Sequence, residues 1–171
     1  MRKRGLLIIL LLALPVAGWS VVSPHQQSGT LLQAQSFKPV TIRNLPPETD
    51  ALGYRDNELS HAYVSDMNGD GVPDYLIAAH PNLCGTGGCP YLLVDGKSVR
   101  TIGEFFGTVA LLEQKINGYP AIQAMTKLDN TAVTVSTYVF DGKIYRLVAS
   151  SLLEERGITA WKESIGQEKQ P

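Results

Sequence analysis

The sequence has few of the residues from which catalytic and metal sites are most often built. Its 171 residues include only two cysteines and three histidines, too few at the usual spacings for a structural zinc site. No segment matches the serine-hydrolase elbow, the zinc-protease helix or the phosphate-binding loop. Positive charge is not in surplus either, since 15 lysines and arginines face 16 acidic residues. Without a basic stripe, nucleic acid is not an expected partner.

Long apolar runs are lacking except at the N-terminus. There, Gly5–Leu14 follows a basic segment at residues 2–4, which is the pattern of a secretory signal peptide, so we predict a signal at residues 1–20. The span 5–22 is slightly shorter than the roughly 20 residues that cross a bilayer, and an uncleaved N-terminal anchor is the alternative. No cysteine lies near this run, so a lipoprotein anchor is not expected. Both alternatives place the chain outside the cytoplasm, in the periplasm or the extracellular space.

The only cysteines, Cys84 and Cys89, enclose the sequence Gly-Thr-Gly-Gly. In an exported protein an isolated pair of this kind predicts a disulfide bond, and the glycines permit the tight bends that bring the two residues together. Closing so short a loop contributes about 2 kcal/mol in the chain-entropy model. We therefore expect the bridge to determine local shape.

Turn dipeptides separate β-rich segments over residues 60–150. Asp95-Gly96, Asn117-Gly118 and Asp141-Gly142 each lie between runs of β-branched and aromatic residues, which is a strong hairpin signal. The fold class predicted is mostly β: a single-domain antiparallel meander of roughly seven strands, resembling a β-blade, with short terminal helices.

The chain divides into four predicted parts. The signal or anchor occupies residues 1–20, a leader or linker residues 21–45, the β-rich domain residues 46–155, and a polar tail residues 156–171. A short helix is expected at 150–159, and Trp161 is expected to dock on a sheet edge and so protect it.

An acidic loop carries the clearest chemistry in the sequence. Asp66, Asn68, Asp70 and Asp74 stand at positions 1, 3, 5 and 9 of one segment, with Gly71 at position 6. Calcium prefers six to eight oxygen ligands at about 2.3–2.6 Å, so this spacing predicts a calcium site. A plain turn is the alternative, but it leaves Asp66 and Asp74 unexplained, because neighbouring carboxylates repel one another without a cation.

The pattern Asp-x-Asn-x-Asp-Gly-x-x-Asp over residues 66–74 resembles the calcium loop of FG-GAP and VCBS-type repeats, found in β-propeller domains such as those of integrin α-subunits. An EF-hand is not indicated, because its twelfth position, a bidentate glutamate, is Ile77 here. Propellers need at least about four blades and the motif occurs once, so the chain resembles a single-motif relative. The resemblance implies these ligands: the side chains of Asp66, Asn68, Asp70 and Asp74 and the backbone carbonyl of Val72.

Candidate catalytic residues are sparse. His61 and His80 flank the acidic loop, without a third ligand for a metal. Glu154-Glu155 with Glu48 and Asp50 offer carboxylates for glycoside hydrolysis, but the sequence does not define their separation.

We therefore expect an exported, non-enzymatic binding or accessory module with a structural calcium, whose partner is a protein or glycan of the cell envelope. Two alternatives remain: a small envelope enzyme or an inhibitor of a cell-wall hydrolase, and a membrane-tethered accessory subunit.

Overall fold

The computed structural model describes residues 27–41, 46–54 and 60–166. The predicted signal or anchor and His25 lie outside these ranges. Within them, no helix combines the length and the apolar character needed to cross a membrane.

Nine antiparallel strands and one C-terminal helix form the described structure, which confirms the predicted β-meander. The path of the sheet runs β2-β3-β4-β5-β6-β7-β8-β9, and β1 pairs with β6 beside this path. The elements are β1 (Gly29–Leu31), β2 (Lys38–Val40), β3 (Ser60–Ser65), β4 (Asp74–Ala78), β5 (Cys89–Asp95), β6 (Arg100–Ile116), β7 (Tyr119–Lys127), β8 (Ala132–Phe140), β9 (Tyr145–Glu154) and α1 (Glu155–Ile165), with short 3₁₀ helices at Ala34–Ser36, Pro47–Leu52 and Pro81–Leu83.

The predicted turn dipeptides join the strands that they were expected to join. Asn117 and Gly118 form the two-residue connection between β6 and β7, and both have positive φ angles. That conformation matches the twist of the strands that it joins. Asp95 ends β5, and Asp141 follows β8.

The sheet has two halves, the first formed by β2, β3, β4 and β5 and the second by β1, β7, β8 and β9, and the long strand β6 belongs to both. Its first part pairs with β5, and its second part pairs with β7 and β1. Gly107 lies between the two parts with a φ of 129°, in a region that side chains rarely enter. A Cβ there would collide with the carbonyl of Met125, so this position requires glycine.

The two halves of the sheet share one apolar core and bury their other faces separately. Leu76 and Phe105 from the first half pack in the same cluster as Ile122 and Tyr145 from the second. The first half covers its other face with residues around Leu52. The second half covers its other face with α1, through Trp161 and Ile165.

Described residues on both sides of the predicted β-rich core take part in the fold. The segment assigned as leader or linker contributes β1 and β2, because Leu31 and Leu32 are apolar enough to be buried in the core. At the other end, β9 continues to Glu154, and α1 occupies most of the predicted polar tail. Trp161 docks on the face of the sheet and not on its edge.

Candidate functional site

The acidic loop connects β3 to β4 in a tight reversal. Gly69 and Gly71 have φ angles of 80° and 85°, the left-handed conformation that glycine adopts at little cost. No atom lies within 4 Å of a Cβ built on either glycine. These two glycines are therefore needed for their backbone conformation and not to make space.

Asp66 organises the loop through its carboxylate. Its Oδ1 accepts hydrogen bonds from the amides of Gly69 at 2.8 Å and Asp70 at 3.0 Å, and its Oδ2 accepts one from the amide of Gly71 at 2.9 Å. These bonds, the one from Gly71 above all, lower the pKa of Asp66, because they stabilise the ionised form. The loop thus holds a negative charge at its centre.

The side chains of Asn68 and Asp70 also accept hydrogen bonds from backbone amides of the loop. Asn68 Oδ1 accepts from the amide of Asp70 at 2.9 Å, and Asp70 Oδ1 accepts from the amide of Val72 at 2.9 Å. The other oxygen of Asp70 lies 3.7 Å from the ammonium nitrogen of Lys97. A carboxylate has about four lone-pair sites, so these contacts orient the oxygens and leave capacity for a further cation.

Asp74, the last predicted ligand, is only 1% exposed. Its Oδ2 accepts from the amide of Met67 at 3.0 Å and its Oδ1 from the amide of Gly96 at 3.1 Å. Burial raises the pKa of this carboxyl group, because the charged form loses hydration. Asp74 therefore ties the loop to the core and to the turn after β5.

The hydroxyl of Tyr119 links the acidic loop to β4 and β5 through hydrogen bonds. The sequence analysis did not identify this residue. Its hydroxyl lies 2.9 Å from Asp95 Oδ2 and 3.3 Å from Asp74 Oδ1, and it accepts a hydrogen bond from Asn68 Nδ2 at 2.9 Å. Burial first, and then the hydrogen bond to Asp95, raise the pKa of Tyr119. Lys115 also reaches the loop and donates to the carbonyl of Met67 at 2.7 Å.

The loop offers calcium the right donor chemistry. All its side-chain donors are the hard oxygens that calcium prefers, and two ammonium groups, of Lys97 and Lys115, already lie against its oxygens. In the described part of the chain, no three His, Cys, Asp or Glu side chains come together as a metal-binding group. Asp66 and Asp70 face the loop, whereas Asp74 faces the core. The donor set therefore fits a cation held with backbone and amide oxygens more than one held in a cage of carboxylates.

Cys84 and Cys89 form the predicted disulfide bond. Between them, Gly85 and Gly88 exchange backbone hydrogen bonds of 2.9 and 3.1 Å, and Gly88 packs directly on the backbone of Gly107. A disulfide is compatible with an exported protein, since such bonds persist in oxidising compartments. The bridge lies at the end of the β4–β5 hairpin opposite the acidic loop.

The two described histidines both pack against the ring of Tyr54. Its centroid lies 6.4 Å from that of His61 and 5.7 Å from that of His80. His80 Nδ1 accepts a hydrogen bond from the amide of Asn82. Both histidines therefore pack locally.

The four candidate carboxylates for glycoside hydrolysis belong to different parts of the fold. Glu48 and Asp50 lie on the 3₁₀ helix after β2, where Glu48 accepts a hydrogen bond from Thr101. Glu154 and Glu155 lie at the junction of β9 and α1. The two pairs flank no common site in the described contacts.

Comparison with known proteins supplied no relative, since no family model, no curated protein and no solved structure matches this chain.

Proposed function

We propose that this protein is an exported, non-enzymatic binding or accessory module of the cell envelope, stiffened by calcium at one end and by its disulfide at the other. The observation that carries the proposal is the burial of Asp74 and its contact with Tyr119. This contact joins the loop to the main core, in which Tyr119 is also buried. A cation in the loop would therefore stabilise the whole fold.

Calcium would be held by the side chains of Asp66, Asn68 and Asp70 and by the backbone carbonyl of Val72. Asp74, the remaining proposed ligand, would have to turn its carboxylate from the amides of Met67 and Gly96 toward the ion. When bound, the ion would supply positive charge to a loop that now relies on Lys97 and Lys115. Extracellular modules bind calcium with dissociation constants of about 10⁻⁴–10⁻³ M, which suits a structural ion.

Thermal unfolding with EDTA, calcium or magnesium tests the role of the ion. With about 1 mM calcium and a dissociation constant near 10⁻⁴ M, mass action stabilises the folded state by about 1.4 kcal/mol. For a domain of this size that is a rise in Tm of about 3–6 °C. Magnesium should have a smaller effect, since it keeps its water and requires stricter geometry.

Asp70→Asn is the informative variant, because the amide oxygen can still accept from Val72 while the charge is lost. It should reduce the calcium-dependent rise in Tm. Asp141→Asn makes the same charge change in a different turn, where Asp141 accepts from two turn amides, and should leave the rise intact. Equal Tm values of the unsubstituted protein in EDTA and in calcium would contradict the calcium part of the proposal.

Mass spectrometry of the purified protein tests the export part. A mass that begins near residues 19–21 would indicate a cleaved signal, whereas an intact Met1 would indicate the membrane-tethered alternative. Labelling with a thiol reagent before and after reduction would show whether Cys84 and Cys89 are bridged in the cell.

A further inference from the structure

Tyr119 holds its hydroxyl group at a fixed place beside the acidic loop. The residue is only 4% exposed, and its ring packs on those of Phe140 and Tyr145, with centroids 4.6 and 6.2 Å away. It also directly follows the tight turn at Asn117 and Gly118. A hydroxyl group on a packed ring at the start of a strand can keep a neighbouring side chain in one orientation.

Asn68 is the side chain that this hydroxyl group orients. Its Nδ2 donates to the hydroxyl oxygen of Tyr119 at 2.9 Å, whereas its Oδ1 accepts from the amide of Asp70 at 2.9 Å. The same Asp70 amide also donates to Asp66 Oδ1 at 3.0 Å. Two oxygens proposed as calcium ligands, Asn68 Oδ1 and Asp66 Oδ1, therefore converge on one amide of the loop.

The side chain of Asn68 is the only one among the proposed ligands with two chemically different ends, an oxygen that accepts and a nitrogen that only donates. A half-turn of the amide would place the nitrogen, which cannot bind a cation, where the oxygen now lies. It would also set Nδ2 against the N–H of Asp70 and deprive the Tyr119 oxygen of its donor.

From these contacts we propose that Tyr119 is a positioning residue of the acidic loop, which accepts from Asn68 Nδ2 and so keeps Asn68 Oδ1 available to calcium. This inference rests on the calcium site proposed above. It adds to that site a residue that acts through a ligand without binding the ion.

The other contacts of the Tyr119 hydroxyl group leave its oxygen able to accept from Asn68. The group has one hydrogen to donate, and its acceptors are Asp95 Oδ2 at 2.9 Å and Asp74 Oδ1 at 3.3 Å. Donation to either carboxylate leaves the lone pairs of the oxygen for Asn68 Nδ2. Loss of the hydroxyl group would affect both Asn68 and Asp74, so the test has to separate these two ligands.

Calcium titrations followed by NMR, through the backbone amide signals of the loop, test the inference. Tyr119→Phe keeps the ring and removes only the hydroxyl group. Its dissociation constant for calcium should rise about 10–100-fold, as is usual when the partner that orients a metal ligand is lost. Tyr145→Phe is the matched control, because it removes another buried hydroxyl group of the same core, one that donates to the carbonyl of Pro120 at 2.7 Å. The control should leave the dissociation constant unchanged.

A double-variant cycle with Asn68→Asp isolates the contribution of Asn68. A carboxylate presents an oxygen at either end, so it needs no partner to choose between them. In the Asn68→Asp background, Tyr119→Phe should raise the dissociation constant at least about fivefold less than it does in the unsubstituted chain, within the range of interaction energies of contacting residues. If Tyr119 acted only through Asp74 or through general packing, its effect would be equal in both backgrounds.

The side-chain amide signals of Asn68 in the unsubstituted chain give a measurement that does not depend on the folding of any variant. Calcium should shift the ¹⁵N signal of Nδ2, because coordination of Oδ1 draws electron density from the nitrogen. The Nδ2 protons should also exchange with water more slowly than those of Asn130, which lies exposed in a turn, because one of them is bonded to Tyr119.

The outcomes separate this inference from the function proposed above. If calcium shifts no loop signal of the unsubstituted chain, the calcium site is wrong and the role of Tyr119 falls with it. If calcium binds, three results overturn the role of Tyr119 alone. They are unchanged affinity in Tyr119→Phe, equal weakening by Tyr145→Phe or in the Asn68→Asp background, and an Asn68 side-chain amide that neither shifts with calcium nor is protected from exchange.

Discussion

At the scale of single residues, Trp161 shows how α1 is attached to the sheet. Its side chain is fully buried, and its indole nitrogen donates to Gln123 Oε1 at 2.6 Å. Gln123 is itself fully buried, and its amide nitrogen contacts Gln27 and Thr137. The amide of one glutamine therefore joins the helix, the sheet and the N-terminal segment, in a place where an unpaired polar group is costly.

We predict that Gln123→Leu lowers the free energy of unfolding by about 1–3 kcal/mol, because it leaves the Trp161 N–H buried without an acceptor. Trp161→Phe removes the same hydrogen bond from the other side. The double variant should be less destabilised than the sum of the two single variants, with a coupling energy of about 0.5–3 kcal/mol. Urea unfolding of the four proteins measures it, and additive effects would show that the hydrogen bond contributes nothing specific.

At the scale of elements, β6 is the strand on which the fold depends. It pairs with three other strands, and Gly107 marks the point where its partner changes from β5 to β7. The strand requires glycine there for two reasons, its backbone conformation and the nearby carbonyl of Met125. The disulfide loop packs on the same position through Gly88.

Two alanine substitutions separate the cost of the positive φ angle from the cost of the collision with the Met125 carbonyl. Gly142→Ala introduces a side chain at a positive φ where no atom lies within 4 Å, so it should cost about 1–2 kcal/mol. Gly107→Ala adds a collision to the same kind of strain, and overpacking contributes about 1–3 kcal/mol more. Chemical denaturation of both variants makes the comparison, and equal losses would show that the sheet adjusts freely around residue 107.

Elements joined by short turns were predictable from the sequence, and distant contacts were not. The connection at Asn117 and Gly118 follows from the backbone preferences of two adjacent residues. The need for glycine at position 107 depends on the carbonyl of Met125, and the hydrogen bonds of Tyr119 depend on residues of two other turns. No local pattern in the sequence encodes such contacts. Asp66 and Asn68 were singled out because their spacing is that of calcium ligands, and the calcium site itself stays a prediction. Lys115 carries no such signal.

At the scale of the whole molecule, carboxylates stabilise the turns at both ends of the sheet. Asp129 caps the turn between β7 and β8, and Asp141 caps the turn between β8 and β9. Amide hydrogen bonds lower the pKa of Asp129, with that of Thr131 contributing most. The pKa of Asp141 is lowered from 3.8 to about 2, with the amide of Ile144 contributing most.

This shift predicts that the fold weakens in acid. A depressed pKa in the folded state contributes stability above the unfolded value, and that contribution is lost as the pH falls through the folded value. For Asp141 the window lies between pH 3.8 and about 2. Asp141→Asn retains an oxygen acceptor for the turn amides and removes the titrating group, so its Tm should fall less across this window.

Thermal unfolding at several pH values measures the effect, with Glu113→Gln on β6 as the charge-matched control. The control should follow the unsubstituted protein through the window. If Asp141→Asn shows the same acid dependence as the unsubstituted protein, other carboxylates are responsible for it.

The pairing of β1 has a consequence for the order of folding during synthesis. β1 is among the first described residues to be made, yet its strand partner is β6, and the amide of Leu31 donates to the carbonyl of Gly166 just after α1. Contacts this distant along the chain form slowly. A growing chain must therefore keep β1 unpaired until β6 emerges, and the backbone contact of Leu31 can form only after Gly166 has been made.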